Sequence, residues 1–126
     1  MDELYREQLL EKYKNPNNKR KMIKPDVKKE DSNPLCGDQI EVFLRLDKNN
    51  VITEATFEGK GCVISQASAD ILMDELKGKT LDKIREMTRE EMLDLLGLNL
   101  THTRIKCAML ALTAVKKGIV EYEAKK

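Results

Sequence analysis

The stretch Gln39-Ile40-Glu41-Val42-Phe43-Leu44-Arg45-Leu46-Asp47, followed by Lys48-Asn49-Asn50 and then Val51-Ile52-Thr53-Glu54-Ala55-Thr56-Phe57-Glu58, decides the fold. In its first part Ile40, Val42, Leu44 and Leu46 alternate with Glu41, Phe43, Arg45 and Asp47, the period of two that buries one face of a strand. Lys48-Asn49-Asn50 turns the chain. The second part, rich in β-branched and aromatic residues, returns as the antiparallel partner of the first. Gly59-Lys60-Gly61 closes the hairpin.

Past Cys62 the period changes. Ile64, Ala67, Ser68, Ile71, Leu72 and Leu76 recur at helical spacing until Gly78 stops the helix. Thr80 caps a short helix from Leu81 to Met87, and Thr88-Arg89-Glu90-Glu91 reads as a capping box opening another, which runs through Leu96 before Gly97. A last helix, starting near Thr103, buries Ile105, Ala108, Leu112, Val115 and Ile119. Upstream of the hairpin, Leu4, Tyr5, Leu9, Leu10 and Tyr13 form a helical stripe over Asp2 to Lys14, broken by the turn residues Asn15-Pro16-Asn17-Asn18. Residues 19–33 are polar and read as a connector with one short strand; the run Lys19-Arg20-Lys21 within it is a solvated face. The fold class is therefore α+β, a small antiparallel sheet of about three strands with helices packed on one face.

At 126 residues the chain suits one domain, residues 1–126, with one hydrophobic core. Hydrophobic residues make up 40% and charged residues 36%, a globular composition with a broad solvated surface. Lys and Arg number 23 against 22 Asp and Glu, so net charge provides no drive toward nucleic acid or an anionic membrane. The beginning, Met1-Asp2-Glu3-Leu4-Tyr5, is acidic where a secretory signal would be basic, and no apolar run is long enough to span a bilayer. A cytoplasmic location is expected, where three cysteines act as thiols, ligands or nucleophiles rather than as staples.

The cysteines, Cys36, Cys62 and Cys107, show no C-x-x-C pairing, so spacing alone says little. Their surroundings say more, because each is expected at an accessible element boundary. Cys36 stands in Asn33-Pro34-Leu35-Cys36-Gly37-Asp38, where Gly37 permits a backbone conformation closed to other residues and would let the Cys36 thiolate and Asp38 carboxylate converge. Cys62 follows Gly59-Lys60-Gly61 and opens a helix, so backbone N–H groups, the helix dipole and Lys60 favour its thiolate. Cys107 lies in the first turns of the last helix, with Arg104 and Lys106 placing positive charge near its sulfur. Taken singly, any of these cysteines could be a small buried hydrophobe. Together with Asp38 they supply four ligands, the number required by a tetrahedral zinc ion or one iron of a cluster. A hard oxygen among soft sulfurs makes such a site one that can release its cargo.

The segments Leu4-Tyr5 through Asn18, Asn33 to Asp38, Gly59-Lys60-Gly61-Cys62-Val63-Ile64-Ser65-Gln66-Ala67-Ser68, and Arg104-Ile105-Lys106-Cys107-Ala108 resemble the U-type iron-sulfur scaffold family, comprising the IscU and SufU groups and the related N-terminal domain of NifU. The resemblance implies Cys36, Asp38, Cys62 and Cys107 as ligands of a transient [2Fe-2S] cluster or of Zn2+, with Gly37, Lys60, Arg104 and Lys106 in support. It implies a SufE/IscU-like fold, a pyridoxal-phosphate cysteine desulfurase as sulfur donor, and apo iron-sulfur proteins as recipients; a homodimer around a cluster is left open. Cys36 is the first candidate sulfur acceptor and Cys107 the second.

The two groups imply different work. A scaffold of the IscU kind assembles a cluster without being an enzyme, whereas a SufU-like protein is a zinc-dependent sulfurtransferase. The compact interval between Cys62 and Cys107 resembles IscU; Lys106, in the place of the histidine that precedes the last cysteine in IscU, resembles SufU. His102 reads as a surface residue near a helix end. The chaperone-binding motif Leu-Pro-Pro-Val-Lys of bacterial IscU is replaced by Leu100-Thr101-His102-Thr103-Arg104. A zinc-stabilised interaction module with no sulfur chemistry is the third reading.

Overall fold

The computed structural model describes residues 3–33, 37–97 and 100–125. Its elements run α1 (Glu3–Lys14), β1 (Val27–Asn33), β2 (Asp38–Leu46), β3 (Ile52–Lys60), α2 (Val63–Leu76), α3 (Leu81–Arg85), α4 (Arg89–Leu96) and α5 (His102–Ala124). The strands form an antiparallel sheet in the order β1-β2-β3, and α2 and α5 lie against it.

The hairpin follows its sequence pattern, with Val42 opposite Phe57 and Leu44 opposite Ala55. These four residues and Ile40 are fully buried and meet Leu72, Met73 and Leu76 of α2 and Ala108, Leu112, Val115 and Ile119 of α5 in one core. At the turn, Asp47 Oδ1 accepts from Asn49 N at 2.8 Å and Val51 N at 3.0 Å, while Asn50 adopts a left-handed conformation. β3 runs on to Lys60, two residues past the apolar run, because Gln39 continues to supply a partner opposite Lys60. Alternation puts Phe43 and its partner Thr56 on the sheet's other face, where both are nevertheless buried.

The short strand expected in the connector is Val27–Asn33, paired with β2 from Val27↔Leu44 to Asn33↔Asp38. Only Val27 among its residues is fully buried. Its side chains instead reach α5 through the ion pairs Lys29–Glu121 and Lys117–Asp31, at 2.9 and 3.1 Å. A charged edge of this kind resists pairing with another chain.

The helix ends obey their caps. Thr88 Oγ1 accepts from Glu91 N at 3.1 Å, the Glu91 carboxylate accepts from Thr88 N at 3.0 Å, and Gly97 ends α4 in a left-handed conformation. The helix capped by Thr80 is shorter than its pattern suggests, stopping at Arg85 rather than Met87. The turn after α1 does more than stop a helix. Asn18 is completely buried: its backbone N–H donates to Asp70 Oδ1 at 2.8 Å, and its amide donates to the Asp70 carbonyl at 3.1 Å and to Asp74 Oδ1 at 2.9 Å. Lys77 Nζ donates to the Asn18 amide oxygen at 2.6 Å, and Phe57 N donates to the Asn18 carbonyl at 3.0 Å. One asparagine thus ties the end of α1 to α2 and to the outer edge of β3.

Candidate metal centre

Three elements end at the same place. β2 begins at Asp38, β3 ends two residues before Cys62, and α5 brings Cys107 alongside. One carboxylate oxygen of Asp38 and the sulfurs of Cys62 and Cys107 all lie within 4.8 Å of one another, the one such group among the described residues. Ligands around a tetrahedral zinc ion stand roughly 3.3–3.8 Å apart, from metal–ligand bonds of about 2.0–2.3 Å. A modest inward movement of the side chains would bring these three to that spacing, so the donor set fits a zinc or iron centre. Cys36, the fourth proposed ligand, lies outside the described residues. Gly37, next to it, is in the left-handed region at φ 71°, as the sequence suggests.

Cys62 is the N-cap of α2, its sulfur accepting from Ser65 N at 3.4 Å. Asp38 holds it on the other side. Oδ1 of Asp38 accepts from Cys62 N at 2.9 Å, and the Cys62 thiol donates to Oδ2 at 3.5 Å. The carboxylate therefore takes up an N–H group that the first turn of α2 leaves without a helical partner. The convergence of Asp38 with Cys36 that the sequence suggests lies outside the described residues; Asp38 also bonds Cys62, brought near by the hairpin register that sets Gln39 opposite Lys60.

Gly61 makes this approach possible. A Cβ there would stand 2.2 Å from Asp38 Oδ1 and 2.9 Å from Ser65 Oγ, at φ 154°. Ser65, buried at 1% exposure, donates through its hydroxyl to the Cys62 carbonyl at 3.1 Å. Neither role is evident in the sequence beyond a glycine before the cysteine and a small polar residue three positions after it.

Cys107 departs from the expectation of an accessible boundary. It is 2% exposed and packs in the core, because the second turn of α5 is already covered by the sheet and α2. Lys60, Arg104 and Lys106 are exposed. Arg104 borders a cavity of about 680 Å³ whose wall also includes Cys62, Leu9, Tyr13, Val63 and Leu100. Of the two described sulfurs, that of Cys62 stands at an open, largely apolar cavity and that of Cys107 behind it. No helix among the described residues is long and apolar enough to cross a membrane.

The chain is thus a small α+β protein whose carboxylate and two thiols, gathered at the joint of sheet and helices, form a donor set that could hold a metal ion. Residues 4–126 match the family described as the NifU-like N terminal domain, and the chain belongs to that family. It is 33% identical to the zinc-dependent sulfurtransferase SufU of Bacillus subtilis, covering 98% of this chain and 94% of that one. It is 30% identical to the iron-sulfur cluster assembly scaffold protein IscU of Haemophilus influenzae, covering 96% and 97%. Its fold is that of the N-terminal NifU-like protein from Brucella abortus, with a TM-score of 0.76, 22% identity and coverage of 97% and 96%.

Proposed function

We propose that this protein is an iron-sulfur cluster assembly scaffold that accepts sulfur from a pyridoxal-phosphate cysteine desulfurase and builds a transient [2Fe-2S] cluster for transfer to apo-proteins. The observation that carries the reading is the convergence of Asp38, Cys62 and Cys107 within 4.8 Å beside an open cavity. Cys36, next to Gly37 in the sequence, completes the proposed ligand set. A thiolate attacks the outer sulfur of the desulfurase persulfide, forming a new S–S bond while the desulfurase thiolate leaves, and each sulfur so bound takes two electrons from an external reductant to reach the sulfide level of the cluster. Cys36 is the proposed first acceptor. Cys107, buried as it is, receives sulfur by exchange within the site. Lys60, Arg104 and Lys106 offset the negative charge that sulfide and thiolates accumulate.

Asp38 has two duties in this scheme. Oδ1 keeps α2 anchored through Cys62 N, while Oδ2, freed when the Cys62 proton is displaced by a metal, turns to the cargo. An oxygen ligand exchanges more readily than a thiolate with iron or zinc, which suits a cluster that must leave. A homodimer around a shared cluster is compatible with the exposed side of Cys62.

The second reading, a zinc-dependent sulfurtransferase, is favoured by the near full-length likeness to SufU. There zinc occupies the same four residues and orders them for exchange with the desulfurase. Anaerobic incubation with ferrous iron, cysteine, a dithiol reductant and a desulfurase, followed by absorption spectroscopy and transfer to an apo-ferredoxin, tests the proposal. A [2Fe-2S] spectrum that moves to the ferredoxin is expected. Absence of a cluster, together with strong stimulation of the desulfurase by the zinc form, would replace the scaffold reading with the sulfurtransferase.

A further inference from the structure

Cys62 and Cys107 are both thiols, and their sulfurs lie within 4.8 Å of each other. Their exposures differ in a way that matters. Cys62 is half-buried on the wall of the 680 Å³ cavity, whereas Cys107 is 2% exposed directly behind it. An accessible thiol backed by a second thiol within reach is the arrangement in which a first oxidation is captured before it proceeds further. A zinc ion bound by both would hold the sulfurs roughly 3.8 Å apart, while a disulfide draws them to about 2.05 Å. Metal and disulfide therefore exclude each other at this pair.

We infer that Cys62 and Cys107 are a redox pair: when no metal is held, oxidation of Cys62 by a hydroperoxide ends in a reversible Cys62–Cys107 disulfide. The Cys62 thiolate attacks the peroxide oxygen, the O–O bond breaks, and the leaving oxygen takes a proton to depart as an alcohol or, from hydrogen peroxide, as water. Cys62 is left as a sulfenic acid. Cys107 sulfur then attacks Cys62 sulfur, the S–O bond breaks, and hydroxide leaves with the Cys107 proton as water. Two thiols and one hydroperoxide give one disulfide, and a dithiol reductant reverses the change. Neither step needs the chain to accept sulfur, so the inference rests on the geometry of the pair and not on the proposed function.

The consequence is a site that closes itself. Two ligands are consumed at once, yet the sulfur of Cys62 is kept from the irreversible sulfinic state. Oxidation would then silence the metal-free protein without destroying it.

The test uses full-length protein stripped of metal, treated with about one equivalent of hydrogen peroxide, alkylated and mapped by mass spectrometry, since one peroxide oxidises one thiol pair. Expected are a mass lower by two hydrogens, a Cys62–Cys107 linked peptide, an alkylated Cys36, and recovery of all three thiols with dithiothreitol. In Cys107→Ser treated with about two or more equivalents, since the sulfinic state takes a second peroxide, Cys62 should pass to sulfinic acid and not recover. A linked peptide containing Cys36, a disulfide between two chains, or sulfinic Cys62 beside an alkylated Cys107 in the unaltered protein would overturn the inference. Prior loading with zinc should slow the linkage about tenfold or more, because a bound thiolate shares its charge with the metal, is a poorer nucleophile and is held apart from its neighbour. Linkage at an undiminished rate in the zinc-loaded protein would contradict the mutual exclusion of metal and disulfide and overturn the inference.

Discussion

Asp38 carries more of the site than its single negative charge suggests. It is 1% exposed, it fastens the first turn of α2 through Cys62 N, and it faces the Cys62 thiol. Asp38→Ala removes a charge-assisted hydrogen bond as well as a proposed ligand. The metal-free variant should lose about 1.5–3 kcal/mol in denaturant unfolding. A cluster assembled on it should nevertheless persist longer and transfer more slowly to apo-ferredoxin, because the exchangeable oxygen is gone; faster loss would count against Asp38 as the labile ligand. Gly61→Ala tests the same contact from the other side. Its Cβ would collide with Asp38 Oδ1, so the carboxylate or the start of α2 must move. Overpacking of this kind costs about 1–3 kcal/mol, and zinc affinity measured by chelator competition should fall tenfold or more. At this scale the residue types were legible in the sequence, and Cys62 was correctly placed at the opening of a helix. The contact of Asp38 with Cys62 was not, because it depends on hairpin register and on a glycine that lets two segments approach.

At the scale of elements, burial against the sheet explains α2 and α5, and polar groups explain how α1 is attached. α1 touches α2, and of its described residues only Leu9 is fully buried, so the Asn18 cluster carries much of the fastening. Asn18→Ala keeps the backbone N–H bond to Asp70 but removes the amide's bonds to the Asp70 carboxylate, the Asp70 carbonyl and Asp74 in a buried place, and should destabilise by about 1–3 kcal/mol, read from the denaturant midpoint. The cluster also sets a pH dependence. Burial pushes the Asp74 carboxyl up, but the Asn18 amide and the Lys12 ammonium outweigh it and hold it below the ordinary 3.8. Burial likewise lowers the Lys12 amine, and Asp74 and Asp70 more than restore it above the ordinary 10.5. The Asp74 contribution is therefore present above about pH 4 and lost as pH falls through its depressed value. The Lys12 contribution is complete below 10.5 and lost as pH rises past its raised value. Both groups are partly solvated, so the pair is worth less than about 1 kcal/mol. The stability difference between wild type and Asp74→Asn should be flat across neutral pH and vanish in acid.

Sheet electrostatics lie at the same scale. Glu30, Glu41 and Glu58 stand directly opposite one another across the three strands. Lys28 Nζ, 3.9 Å from Glu41, offsets the repulsion only in part. Glu41→Gln should therefore stabilise the protein by about 0.5 kcal/mol at low salt, a gain that shrinks as salt is added. β1 itself shows why the sequence reads some elements poorly. With one buried apolar residue it has no hydrophobic signature, and it exists because β2 offers an unpaired edge and α5 offers charges. The Asn15–Asn18 turn was legible as a turn, but its place in the interior depends on an aspartate 52 positions away.

For the whole molecule, the candidate metal site lies at a joint. Asp38 belongs to the sheet, Cys62 to the start of α2 and Cys107 to α5, so an ion bound by all three ties together the elements that form the core. Zinc at about a thousandfold excess over its dissociation constant adds roughly 4 kcal/mol, on the order of 10 °C in melting temperature for a chain of this size. Cys107→Ser should lose most of that rise while leaving the unloaded protein folded. Cys107 is also where sequence and structure part most clearly at this scale. Position in the chain suggests an accessible helix start, whereas the closing of α5 over the sheet buries it.

The most direct test is X-ray absorption at the zinc edge of the loaded protein and its variants. Three sulfur neighbours near 2.3 Å and one oxygen near 2.0 Å, about the distances of mixed thiolate and carboxylate ligation, are predicted for the unaltered chain. One sulfur should be lost in each of Cys36→Ser, Cys62→Ser and Cys107→Ser, and the carboxylate oxygen in Asp38→Ala. A shell dominated by nitrogen or oxygen, or one left unchanged by Cys62→Ser and Cys107→Ser, would contradict the site.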